Sequence, residues 1–309
     1  MANRPSYWPA VILIVVIVAV AGGVGVVLDH YLFAPPARGS VLSIRAGDNA
    51  TVNYIGVFTS GPQAGRTFDT NRYAISIDNV SWPKSLEFTP HGNQSAYTQL
   101  GVYVGASTPS GGYVVGNRTF GSVIPGFWQG MIGMTGNTTR LINISVANAY
   151  GPANPACFSP QPLVFTTPIY STVPLATFES AYPSVSPTTG TTFPDPLYSW
   201  TDLVYSANAT TVALQSLPTV GQTTHPFGLP YYVSGIANGT ITVRSLLATG
   251  QAGTVLGHLG GSQTICSSSS FIVSSIDWTT NTMTWNFNRE IYGQSLEFWV
   301  TVVDIFPPH

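Results

Sequence analysis

The chain has 309 residues, 44 % hydrophobic and 12 % aromatic, enough apolar material for folded cores, so a largely disordered polymer is excluded. Charge is scarce: 10 basic and 12 acidic residues make 7 % of the chain, against about 25 % in ordinary soluble proteins. A net charge of −2 with no basic cluster argues against nucleic acid as a partner, and the shortage of Glu, Lys and Arg argues against a coiled coil. The 31 glycines, 24 prolines and recurrent β-branched residues predict an α+β chain that is mainly β.

In chain order, residues 1–9 form a short stub and residues 10–31 a predicted transmembrane helix. Its heart, Ala10 to Leu28, is 19 consecutive uncharged residues, long enough to cross a bilayer. Tyr7 and Trp8 before it and Tyr31 after it suit the membrane interfaces. A cleavable signal peptide is the rival reading, with small residues at Ala34 to Ala37, although its apolar run is usually about 7–15 residues. Residues 32–40 are a linker. Asn49, Asn79, Asn93, Asn117, Asn137, Asn143, Asn208 and Asn238 each open an N-glycosylation sequon, although an Asn- and Thr-rich chain also produces such triplets by chance. With the membrane span, they place the body of the chain outside the cytoplasm. In that oxidising setting Cys157 and Cys266 are candidates for one disulfide, but nothing in the sequence says that they meet. Two cysteines and five scattered histidines lack the ligand spacing of a zinc or haem site, so no metal or cofactor is expected.

Beyond the linker, Thr51 to Phe58 alternates as a strand with Val52, Tyr54, Gly56 and Phe58 on one face. A Gly/Pro turn leads to a second strand carrying Phe68 and Asp69. Residues 71–117 are polar and loop-like, interrupted by a strand around Leu100 to Val104. Val123 to Met134 (VIPGFWQGMIGM) is a helix start, with Pro125 in the first turn and Phe127 and Met131 on one face. Its three glycines require a short helix held by packing against a sheet. Arg140 to Val146 alternates again. An internal repeat follows: residues 187–217 and 218–247 both open Pro-Thr-x-Gly and cross an Asn-x-Thr turn into an alternating strand, with a looser third copy at Phe271 to Phe287. Each copy reads as a β-hairpin turning at Asn208, Asn238 or Asn281.

VNYIGVF…AGRTFDTN, then VIPGFWQGMIGM, then NISVANAYG, and finally SLEFWVTVVDI resemble, in order, the motifs of FKBP-type peptidyl-prolyl cis–trans isomerases. The resemblance implies an FKBP-like antiparallel sheet with one short helix, built from residues 41–154 and 286–309, and an inserted all-β repeat module at 155–285. Membrane-anchored forms with such an insert are similar to archaeal extracytoplasmic isomerases. It also implies proline-containing polypeptides as substrates and a pocket lined by Phe68, Val123, Ile124, Phe127 and Phe298. Asp69, held by the Tyr54 hydroxyl, would face the substrate carbonyl, and Tyr150 would donate a hydrogen bond to the substrate backbone. Without the motif order, Phe68, Phe127 and Phe298 read as ordinary core and Tyr150 as a turn aromatic. The chain departs from the family at Leu100, where an aromatic is usual, and at residues 71–99, which replace a loop carrying an arginine. Those departures leave open a non-catalytic chaperone or binding module, while the repeats and sequons leave open a structural surface protein. The oligomeric state is unspecified.

Overall fold

The computed structural model describes residues 42–108, 111–259 and 264–308. The stub, predicted span and linker lie outside the described residues, among which no helix is long and apolar enough to cross a membrane. The architecture is mainly β.

One antiparallel sheet contains β1 (Asn49–Phe58), β2 (Thr67–Thr70), β3 (Leu100–Tyr103), β6 (Thr139–Ile144) and β19 (Leu296–Phe306). Its order is β2-β1-β19-β6, with β3 pairing the first half of β1. Lying between neighbours, β1 buries even Thr51 and Ile55 on the face opposite Val52 and Tyr54. β19 alternates cleanly, with Leu296, Phe298, Val300 and Val302 inward. Helix α1 (Tyr73–Ile77) and the hairpin of β4 (Tyr113–Val115) and β5 (Arg118–Phe120) occupy stretches expected to be loops. Helix α2 (Pro125–Met131) packs on β6 with Gly126 and Gly130 against it, and buries Phe127 and Met131 in the core. Arg140 closes its C-terminal end, Nη1 donating to Gly130 O at 2.8 Å and Ile132 O at 3.0 Å.

The stretch between β6 and β19 builds three four-stranded antiparallel sheets. The strands are β7 (Phe158–Pro162), β8 (Val164–Pro168), β9 (Tyr170–Pro174), β10 (Thr192–Pro194), β11 (Thr201–Ala207), β12 (Thr211–Ser216), β13 (Thr223–Thr224), β14 (Tyr231–Ala237), β15 (Thr240–Ser245), β16 (Leu256–His258), β17 (Ser270–Asp277) and β18 (Thr282–Asn286). Their orders are β10-β11-β12-β9, β13-β14-β15-β8 and β16-β17-β18-β7, one plan used three times. Each central hairpin carries a bulge at the same place, after Val204, Val233 and Val273.

The repeat expectation needs two corrections. Each unit is larger than a hairpin, and the third begins at β16 rather than at Phe271. The fourth strand of each sheet comes from FSPQPL, VFTTPI and YSTVPL, three six-residue units whose Pro162, Pro168 and Pro174 pair with Thr282, Thr240 and Thr211. These strands are distributed in reverse order, the first to the last sheet. A hairpin cannot bury a face alone, so the borrowed strands give each one width. Helix α3 (Leu175–Ala181) covers the first sheet with Phe178.

Cys157 and Cys266 form a disulfide, with Cα atoms 5.8 Å apart across 109 residues of sequence. One sequon is overturned: Asn49 is 7 % exposed in β1, where no glycan fits on the folded chain. Asn79, Asn93, Asn117, Asn137, Asn143, Asn208 and Asn238 are exposed.

Candidate functional site

The candidate site lies where β1, β2, β19 and the start of α2 meet. Residue Gly56 pairs with Phe298 on one side and with Asp69 on the other. A Cβ there would stand 2.6 Å from Phe68 Cζ and 2.9 Å from Phe298 Cε1, so the glycine is what lets the two rings approach over β1. Phe68 meets Phe298 edge-on at 5.4 Å between centroids, Phe298 meets Phe127 at 5.0 Å, and Phe127 meets Tyr54 at 6.1 Å. Edge-to-face contacts of this kind add stability beyond area burial. Val123 and Ile124, half-buried ahead of α2, pack against the same cluster, and so does Trp128, which sequence reasoning did not select. The rings are tightly enclosed: Phe68 is 9 %, Phe127 2 % and Phe298 4 % exposed.

Polar groups stand at the edge of this cluster. Tyr54 Oη donates to Asp69 Oδ2 at 2.7 Å. His91 Nε2 lies 3.1 Å from Asp69 Oδ1, so both carboxylate oxygens have partners. Burial first, then the Asp69 carboxylate, push the Tyr54 hydroxyl far above its ordinary pKa. The same two causes, in the same order, raise Tyr150, which is 38 % exposed in the turn after β6. Both phenols therefore remain protonated donors throughout the neutral range. Gly151, at φ +82°, makes the turn that presents Tyr150, and its carbonyl accepts from Gly293 N at 2.8 Å.

His91 is the residue that sequence reasoning missed. It lies 22 positions from Asp69, in the long connection between α1 and β3. Elimination offered a partial signal, because that loop holds few cations. Lys84 is occupied with Ile75 O and Asp78 O, at 2.8 Å each, and with Trp82 O. Tyr97 fixes His91 by accepting its backbone N–H at 2.9 Å and packing edge-on to the imidazole. Beyond them a cavity of about 350 Å³ lined by Tyr54, His91, Tyr97 and Leu100 shares Tyr97, Thr98 and Gly101 with a second one of about 530 Å³. Together they make a groove along β3 toward Arg118. Such an arrangement places a carboxylate bound by Tyr54 and His91 beside two adjoining cavities lined in part by aromatic side chains, with the Tyr150 hydroxyl on the same carboxylate's side of the cluster.

No family model matches the chain, and no curated protein matches its sequence.

Proposed function

We propose that residues 41–154 and 286–309 form an FKBP-like peptidyl-prolyl cis–trans isomerase domain, anchored by residues 10–31 and acting outside the cytoplasm on proline-containing segments of secreted or surface proteins. The carrying observation is the Tyr54–Asp69 hydrogen bond at the edge of the Phe68–Phe127–Phe298 cluster. The disulfide and seven exposed sequons support the extracytoplasmic placement. Rotation about an X–Pro bond faces a barrier of about 18–20 kcal/mol because amide resonance must be lost. The twisted amide is less polar at its carbonyl than the planar one. Aromatic surroundings therefore disfavour the ground state more than the transition state, which is differential binding. In this reading the proline ring docks beside the half-buried Val123 and Ile124 at the edge of the aromatic cluster, Tyr150 donates to the substrate backbone, and Asp69 faces the rotating carbonyl. No nucleophile is required.

One observation favours a second reading, a binding or chaperone module that grips proline segments without turning them over. The two adjoining cavities are lined by Tyr97, Thr98 and Gly101 while Phe68, Phe127 and Phe298 are buried, so a chain can be held without its proline entering the aromatic cluster. A protease-coupled proline-peptide assay separates the two. Tyr150→Phe keeps the ring and deletes one hydrogen bond of about 0.5–1.5 kcal/mol, so turnover should fall about two- to twelve-fold with little change in stability. Asp69→Leu should lower turnover more than peptide affinity. A wild-type protein that binds such peptides yet gives no acceleration over the uncatalysed rate would falsify the isomerase reading and favour the second.

A further inference from the structure

A cavity of about 700 Å³ opens beside the turn that presents Tyr150. Asn154 stands on one wall, Arg289 and Tyr292 on a second, and Ser267 on a third. The first two walls are tied together: Gly293 N donates to Gly151 O at 2.8 Å, Phe287 N to Cys157 O at 2.9 Å, and Asn154 N to Asn288 Oδ1 at 2.8 Å. Asn288 Nδ2 returns a bond to Asn154 O at 3.1 Å. The Cys157–Cys266 disulfide fixes the third wall. The cavity is thus preformed, as ligand sites usually are.

Arg289 brings an unmatched charge to it. The ion pairs among the described residues are His91–Asp69 and Arg118–Asp304, and Arg289 belongs to neither. Residues 259–270, which supply the third wall, contain no Asp or Glu. The neighbouring Glu290 is 7 % exposed with Oε1 accepting from Ser85 Oγ, and burial raises its carboxyl toward the neutral acid. Other cations have work elsewhere: Lys84 binds backbone carbonyls and Arg140 closes α2. Arg289 is exposed to solvent and within electrostatic reach of the site. Burial and then Asp69 raise the Tyr150 hydroxyl, and the Arg289 guanidinium pulls it back down.

We infer that this cavity receives the residues flanking the substrate's proline, and that Arg289 makes the domain favour segments with a carboxylate there. The inference rests on the reading in which Tyr150 donates to the substrate backbone. An extended chain advances about 3.3 Å per residue, so a chain held at Tyr150 and running toward Arg289 brings a side chain to it within a few residues. A guanidinium fork matches a carboxylate in two parallel hydrogen bonds, whereas a substrate lysine would meet a like charge. Asp69 does not compensate for that repulsion, since Tyr54 and His91 already engage both its oxygens. Solvent screens the exposed guanidinium, so the preference is modest.

The test uses the full-length chain in mild detergent and fluorescein-labelled peptides bearing one proline. Glu, Gln or Lys occupies in turn each of the nearest positions on either side of it. On one side, the Glu peptide should bind about two- to five-fold more tightly than the Gln peptide, and the Lys peptide more weakly than both. Raising NaCl to about 0.5 M should shrink that ratio. Arg289→Gln should erase the preference, and Arg289→Glu should make the Lys peptide the tightest. Ratios taken within one variant cancel any general effect of the substitution on folding or affinity. The inference is overturned if proline peptides bind with no charge preference at any position, or if the preference for Glu survives Arg289→Glu. Binding of no peptide at all overturns the proline-segment reading itself, and this inference with it.

Discussion

Asn71 illustrates what a single side chain does in this fold. Its Oδ1 accepts from Tyr54 N at 2.8 Å, while Nδ2 donates to Val52 O at 2.9 Å and Thr98 O at 3.0 Å. It thereby supplies the ladder bonds that β1 lacks between the end of β2 and the start of β3. Nothing in its sequence neighbourhood marks it, because its partners are 17 to 27 residues away. Tyr54, Phe68 and Asp69 were legible because they stand on two neighbouring strands within a short motif. Asp202 has a measurable consequence of its own. It is 4 % exposed and accepts from Trp200 Nε1 at 3.1 Å, and burial, the leading cause, raises its carboxyl from 3.8 to about 6. The folded state therefore holds this proton more tightly than the unfolded state. Its contribution favours folding most at low pH, declines as pH rises from about 4 to about 6, and is level above that. The full swing is about 3 kcal/mol at most. Asp202→Asn should remove it, so denaturation midpoints of wild type minus variant should fall across that window; a flat difference would disprove the burial argument.

At the scale of elements, α2 shows packing overriding propensity. Gly126 and Gly130 make it a poor helix in isolation, but they face β6 so closely that a Cβ would overlap Ile144 Cγ2 and Ile142 Cγ2 respectively. Alanine would gain about 1 kcal/mol of helix propensity, while forcing atoms into a packed interface costs typically about 1–3 kcal/mol. Gly130→Ala should therefore lower stability, read as a lower urea midpoint with unchanged slope. An increase would mean that the helix does not sit on β6 as described. The insert's strands teach a different lesson. The long repeats were legible from Pro-Thr-x-Gly and Asn-x-Thr. The six-residue repeat at 158–175 passed unnoticed, because each copy is too short to signal a strand and pairs with partners up to 128 residues away. Leu163 N, Ile169 N and Leu175 N donate to Asn281 O, Gly239 O and Thr210 O, the same contact made three times.

For the whole molecule, the decisive element is the last strand. β19 lies between β1 and β6, and its Leu296, Phe298, Val300 and Val302 belong to the same core as Tyr54 and Phe127. Truncation after residue 290 should unfold residues 42–154 too, seen as loss of a cooperative transition, since both neighbours would lose their shared ladder. A truncated chain that still melts cooperatively would refute this. The insert, by contrast, leaves and returns at adjacent points: Phe287 N donates to Cys157 O at 2.9 Å, and Asn154 N to Asn288 Oδ1 at 2.8 Å. Replacing residues 158–284 by a short Gly/Ser linker should therefore preserve a cooperative core.

The sequence by itself determined the mainly β class, the positions of β1, α2 and β6, and the repetition in the insert. All of these follow from periodicity and turn chemistry within about ten residues, where side-chain spacing directly reports which face is buried. Only tertiary structure decided that His91 holds the second oxygen of Asp69, that Cys157 reaches Cys266, and that Asn49 is buried rather than available to a glycan. It also decided that three proline-ended strands are shared out in reverse among three sheets. Each of these depends on chain closure over 22 residues or more, or on burial by a strand from the far terminus, and local pattern carries no record of either.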